Sequence, residues 1–140
     1  MTLTYQPYLS KLYKKTVVKT MKLSATTFVI VVNIKSFSQF VQKGALVKTL
    51  FTNREIQYAK VKGREWERLG ARFAAKLAFC NLYPDCDIGL IEVRSIAEQG
   101  GPPILLYKGE KMNDIHVSLT HVPTYGAASL RQKARGKWVN

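Results

Sequence analysis

A chain of 140 residues, 46% of them hydrophobic, is enough for one domain around a single core. Its longest apolar run, Phe28-Val29-Ile30-Val31-Val32, falls far short of the ~20 residues of a bilayer-spanning helix, so a buried strand is expected there and no membrane span. The net charge of +13 sits at the two ends: residues 1–53 hold eight lysines and no acid, residues 54–130 ten basic and nine acidic side chains, and residues 131–140 four basic residues and no acid.

Cationic ends of this kind attract an acidic protein, nucleic acid or an anionic surface, and charge does not choose among them. The bland reading, solvated lysines that aid solubility, holds as well for any single residue. Cys80 and Cys86 fit neither a disulfide framework nor a zinc site. They are read as reduced thiols of a cytoplasmic protein, with a loop disulfide between them as the alternative.

In chain order, residues 1–26 read as a basic N-terminal arm, disordered or loosely docked. Tyr5, Tyr8, Leu9 and Leu12 form an apolar stripe beside Lys11, Lys14 and Lys15. No apolar stretch follows these lysines before Phe28, and the first arginine is Arg54, so neither a secretory signal nor an arginine-rich presequence is expected. Met21 offers an alternative translation start.

Residues 27–34 read as a strand buried on both faces. Phe37, Phe40 and Val41 mark a short helix ended by Gly44, a second helix starts near Thr52, and Gly63 breaks the chain. The main helix spans roughly residues 64–82, with Trp66, Leu69, Phe73, Leu77 and Cys80 on one apolar face and Pro84 closing it. Strands follow at 90–96 and 104–108 around the turn signal Gln99-Gly100-Gly101-Pro102-Pro103. Ile115, Val117 and Leu119 alternate inward with His116, Ser118 and Thr120 outward, and 125–130 forms the last strand. One strand, several helices and then a run of strands make an α+β domain over residues 27–130, followed by a basic C-terminal tail at 131–140.

Arg68, Arg72 and Lys76 lie four residues apart and share one stripe of the main helix, a spacing suited to a polyanion and equally to a solvated basic face. His121 ends a strand, where its side chain enters a loop. No Walker-type or dinucleotide loop, nucleophile elbow or metal-ligand spacing accompanies them.

Several ordered segments resemble one family. Gly70-Ala71-Arg72-Phe73-Ala74-Ala75-Lys76-Leu77-Ala78-Phe79 and Val117-Ser118-Leu119-Thr120-His121 with Tyr125 are similar to the paired signature of holo-acyl-carrier-protein synthases, the small 4′-phosphopantetheinyl transferases. Leu50-Phe51-Thr52 with Glu55 and Tyr58-Ala59, Ile91-Glu92-Val93 and Gly101-Pro102-Pro103 extend the likeness over residues 27–130. The resemblance implies a phosphopantetheinyl-transferase-like α+β fold of one strand, helices and then antiparallel strands, assembled as a trimer with sites between subunits. It implies coenzyme A as ligand or substrate, held by Arg68, Arg72, Lys76, Ser118 and His121, and an acyl carrier protein docked near Lys35 and Lys43.

The family's magnesium is held by an aspartate on the first strand and a glutamate after Arg-Phe-Ala-Ala-Lys. The resemblance puts these at Ile30 and Leu77, so no metal ligand is assigned and magnesium is in doubt. Ser36 stands for the docking arginine, and Leu82-Tyr83-Pro84-Asp85-Cys86 for a glycine-rich loop. Three readings stay open: a protein of fatty-acid or polyketide biosynthesis that recognises coenzyme A or a carrier with transfer impaired or lost, as a homotrimer or in a mixed oligomer with a homologue; an active transferase with a rearranged metal site; or a basic module for an anionic surface or, less expected without a recognition motif, nucleic acid.

Overall fold

The computed structural model describes residues 7–95, 102–134 and 137–138. Helix α1 (Pro7–Thr16) leads into a hairpin of β1 (Val17–Ser24) and β2 (Thr27–Asn33). Helices α2 (Ile34–Lys43), α3 (Val47–Leu50), α4 (Asn53–Lys62) and α5 (Glu65–Leu82) follow. The chain then returns through β3 (Ile91–Arg94), β4 (Ile104–Tyr107), β5 (Glu110–Lys111), β6 (Ile115–His121), β7 (Tyr125–Ala134) and β8 (Lys137–Trp138). Strand pairing is antiparallel throughout, in one sheet ordered β1-β2-β7-β6 with β8 beside β7, and a second ordered β3-β4-β5. The expected α+β class is the observed one.

Local chemistry sets most helix ends. Asn33 caps α2, its Oδ1 accepting from the Ser36 N–H at 2.9 Å. Thr52 and Glu55 cap α4 reciprocally, each side chain accepting from the other residue's backbone N–H. The Gly63 N–H closes α4 on the Ala59 carbonyl, and Gly63 itself turns at φ +81°, a conformation that favours glycine.

Helix α5 is the centre of the molecule. It crosses β7, β2 and β6 on one side and meets α4, α2 and β3 on others. Its small residues allow close approach: a Cβ placed on Gly126 of β7 would stand 2.8 Å from the Ala71 nitrogen. The expected helix with one apolar face is therefore corrected. Every residue from Leu69 to Cys80 is buried, because α5 has neighbours on all sides. Phe37 anchors α2 to it, stacked on Phe73 at 5.1 Å and edge-on to Trp66 and Phe51.

Two further expectations change. Strand β2 alternates buried and half-buried residues instead of being buried on both faces, since α5 covers only one side of the sheet. Phe28, Ile30 and Val32 point into the core, while Val29 and Val31 lie on the uncovered face. Residues 7–24 are not a loose arm. Leu9 and Leu12 are fully buried in the common core, α1 packs on α2, and β1 pairs along β2 from Val17 to Ser24. Tyr5 lies outside the described residues, as do the last residue of the strand expected at 90–96 and residues 99–101 of the expected turn. In the tail, β7 runs on to Ala134 instead of ending at Leu130.

Candidate functional site

The three cations of α5 do share a stripe, and α4 covers it. Lys76 is completely enclosed: its Nζ donates to Glu55 Oε1 and to the Leu50 carbonyl, each at 2.6 Å, and lies 4.8 Å from the centre of the Phe51 ring. Burial lowers the Lys76 pKa, and the Glu55 carboxylate opposes that shift. Glu55, 2% exposed, also accepts from the Thr52 N–H through Oε1 and from the Val93 N–H through Oε2. One carboxylate thus joins the start of α4, the middle of α5 and strand β3. Lys76, expected at coenzyme A, has no exposed surface within the chain.

Arg72 is nearly as enclosed, at 3% exposure. Its Nε donates to the Val93 carbonyl at 3.1 Å, Nη1 to the Arg68 carbonyl at 3.4 Å and Nη2 to Ser95 Oγ at 2.6 Å, with Tyr58 stacked 4.7 Å away. Burial lowers its pKa while Glu55 works the other way. Arg68 donates from Nε to the Gly63 carbonyl and flanks the same Tyr58 ring at 5.9 Å. Burial alone raises the Tyr58 pKa, but a hydrogen bond to Ser95 and the guanidinium charges of Arg72 and Arg68 bring it below the usual phenol value.

These groups floor a cavity of about 200 Å³ lined by Arg54, Glu55, Tyr58, Arg72, Glu92, Arg94 and Ser95 with Val93. Arg94 pairs with Glu92 at 2.7 Å across its rim. Three arginines outnumber the carboxylates of Glu55 and Glu92 in this hollow, and Arg54 is the most exposed of the five at 67% for its side chain. The cavity's polar residues from α4 and β3 are what the helix stripe alone could not reveal. Of its lining residues beyond α5, Glu55, Tyr58, Glu92 and Val93 fell in segments that carry the family resemblance, while Arg54, Arg94 and Ser95 had no signal.

His121 lies elsewhere. Its Nδ1 is 3.0 Å from Glu67 Oε1 near the start of α5, and it is not among the residues lining the Arg72 cavity. Glu67 carried no sequence signal, because the contact spans 54 residues. Ser118 is exposed in mid-strand opposite Ser129, on the face of the sheet away from α5. Arg68 and Arg72 therefore meet on the Tyr58 ring, while Ser118 and His121 do not line the Arg72 cavity. Ile30 and Leu77 are each 0% exposed within the main hydrophobic core. The polar side chain of β2 at its His121 end is Asn33, three positions beyond Ile30 and committed to capping α2.

Lys35 and Lys43 are exposed on α2. Lys43 joins Lys11, Lys15, Phe40 and Gly44 around a groove between α1 and α2, of about 390 Å³. All eight lysines of residues 1–53 are exposed, and among the described residues none pairs with a carboxylate.

An α5 cradled by one antiparallel sheet and flanked by α2 and α4 defines a fold class with a solved counterpart. The chain is similar to a holo-(acyl-carrier-protein) synthase from Bacillus anthracis, solved in complex with CoA (3′,5′-ADP), at 22% identity and a TM-score of 0.61, over 84% of this chain and 96% of that one. That likeness establishes the shared fold. No protein-family model and no curated protein matches the sequence. No helix among the described residues is long and apolar enough to cross a membrane.

Proposed function

We propose that the chain is a phosphopantetheinyl-transferase-like protein of fatty-acid or polyketide biosynthesis that recognises an acyl carrier protein, coenzyme A or both, and that has lost magnesium-dependent transfer. The observation that carries this reading is the interior of α5. The helix run that resembles the family's catalytic motif has its lysine locked to Glu55 and its glutamate position, Leu77, packed in hydrocarbon. Ile30 is enclosed in the same core, and among the described residues no three His, Cys, Asp or Glu side chains converge to hold a metal. This donor set does not fit a magnesium ion, so no chemical step is assigned to one.

Recognition is supported by what stays exposed. Lysines of α1 and α2 rim a groove with the half-buried Phe40 in it, a surface complementary to an acidic carrier protein. Arg54, the exposed cation at the mouth of the Arg72 cavity, provides a place for one phosphate of a nucleotide. The full chain is incubated with apo carrier protein, coenzyme A and magnesium, and the carrier is weighed. Separate calorimetric titrations with carrier and with coenzyme A are run at 50 and 200 mM salt. The reading expects no phosphopantetheine on the carrier and binding to at least one of the two that weakens several-fold in the higher salt. Transfer at ordinary enzyme turnover overturns the loss of catalysis. Binding to neither, with tight binding to a nucleic acid instead, overturns recognition.

A further inference from the structure

The end of α5 and the turn after it carry a pair of core thiols that the proposed function does not use. After Leu82, the Cys86 N–H donates to the Tyr83 carbonyl at 3.0 Å, closing a tight turn with Pro84 at its second position. Proline at that position pre-sets the turn. The turn folds Cys86 back over the last part of α5, where its Sγ stands 3.2 Å from Sγ of Cys80. Both cysteines are free, and both are buried in the structure. Sulfurs at this separation share a hydrogen bond and need to close by only about 1 Å to bond covalently.

The two thiols are not equivalent. Cys86 lines a cavity of about 440 Å³ with Phe79, Leu82, Tyr83, Pro84, Tyr107 and Met112, and Cys80 does not. The hydrogen bond that the two sulfurs share lowers the Cys86 pKa against burial and the carboxylates of Asp87 and Asp85, while the same bond and burial raise that of Cys80. The cavity therefore reaches the sulfur of Cys86 and not that of Cys80, which sets the order of reaction.

We propose that Cys86 and Cys80 form a hydroperoxide-sensitive dithiol, Cys86 reacting first and Cys80 resolving it to a disulfide. In the first step the Cys86 thiolate attacks the peroxide's terminal oxygen. An S–O bond forms, the O–O bond breaks, and the departing oxygen takes up a proton and leaves as water or an alcohol. The Cys80 sulfur then attacks the sulfenic sulfur, the S–O bond breaks, and hydroxide leaves with the Cys80 proton as water. Two thiols are oxidised by two electrons, and one hydroperoxide is reduced. The product closes a short ring across the turn and ties the end of α5 to the residues that lead into β3. This pins one wall of the cavity.

The test uses the full chain, reduced, desalted and exposed to hydrogen peroxide, then denatured and alkylated with a maleimide for intact-mass measurement. Untreated protein takes two labels; oxidised protein takes none as a monomer and regains two after reduction. Oxidation also raises the melting temperature by a few degrees, a shift that reductant reverses. In Cys80→Ser, dimedone traps a sulfenic acid on Cys86; in Cys86→Ser, Cys80 gives less than a tenth of that adduct. Two labels retained under peroxide that fully oxidises a control thiol overturn the proposal, as does a disulfide found only between copies. A dimedone adduct on Cys80 equal to that on Cys86 overturns the order of reaction. Because the label count is read on the unsubstituted chain, the outcome does not depend on either variant folding.

Discussion

Lys76 separates a binding residue from a structural one. A buried ammonium with its only carboxylate partner at 2.6 Å leaves an uncompensated charge when either side is removed alone. Lys76→Met is expected to cost roughly 3–5 kcal/mol in urea denaturation, and adding Glu55→Gln to regain at least about 1 kcal/mol, since the stranded carboxylate is then gone. Stability unchanged by Lys76→Met, with coenzyme A binding weakened, would return the residue to the ligand role that its place in the motif suggested. Helical periodicity put Arg68, Arg72 and Lys76 on one stripe correctly. It could not say what covers that stripe, because Glu55, Val93 and Ser95 reach α5 from 21 to 23 residues away.

The same division runs through whole elements. The end of α2 at Gly44 and both ends of α4, at Thr52 and Gly63, were legible because caps are local, whereas the start of α2 was not, its Asn33 cap lying inside the stretch read as strand. The docking of α1 was not legible, since a lysine-rich helix with two core leucines looks the same in sequence whether it floats or packs. Leu12→Ala is expected to cost about 2–5 kcal/mol, against less than about 0.5 kcal/mol for Leu23→Ala on the neighbouring strand, where the side chain is 64% exposed. Equal small effects in thermal or urea unfolding would show that residues 7–24 are dispensable. Where α5 crosses the sheet, Gly126→Ala sets a new Cβ against the Ala71 backbone nitrogen, which cannot yield. Gly70→Ala meets the Ile34 Cδ1, the end of a side chain that can rotate. Both lose stability by overpacking, Gly126→Ala by roughly 1–3 kcal/mol and Gly70→Ala by clearly less, as denaturation midpoints will show.

At the scale of the molecule, the core occupies the positions where the family resemblance puts a metal. Ile30 and Leu77 are 0% exposed, so Ile30→Asp with Leu77→Glu is expected to unfold the chain or leave it poorly cooperative by circular dichroism, instead of restoring transfer. A well-folded double variant with magnesium-dependent activity would contradict that. The sheet presents the opposite case, a face that α5 does not cover. On its face away from α5, Val29, Ser129 and Ser118 form one cross-strand row, and Val31, Ala127 and Thr120 the next, all small or half-apolar and only partly shielded. The family resemblance implies a trimer, and this face is the surface we propose for it, because further copies meeting there would bury these rows. Sedimentation of the full chain is expected to give a trimer, and Val31→Lys with Ala127→Lys to release monomers that keep their fold, because neither position touches the α5 side. A monomer at micromolar concentration in the unsubstituted chain would leave a mixed oligomer, in which a homologue supplies the missing faces, as the assembly to seek.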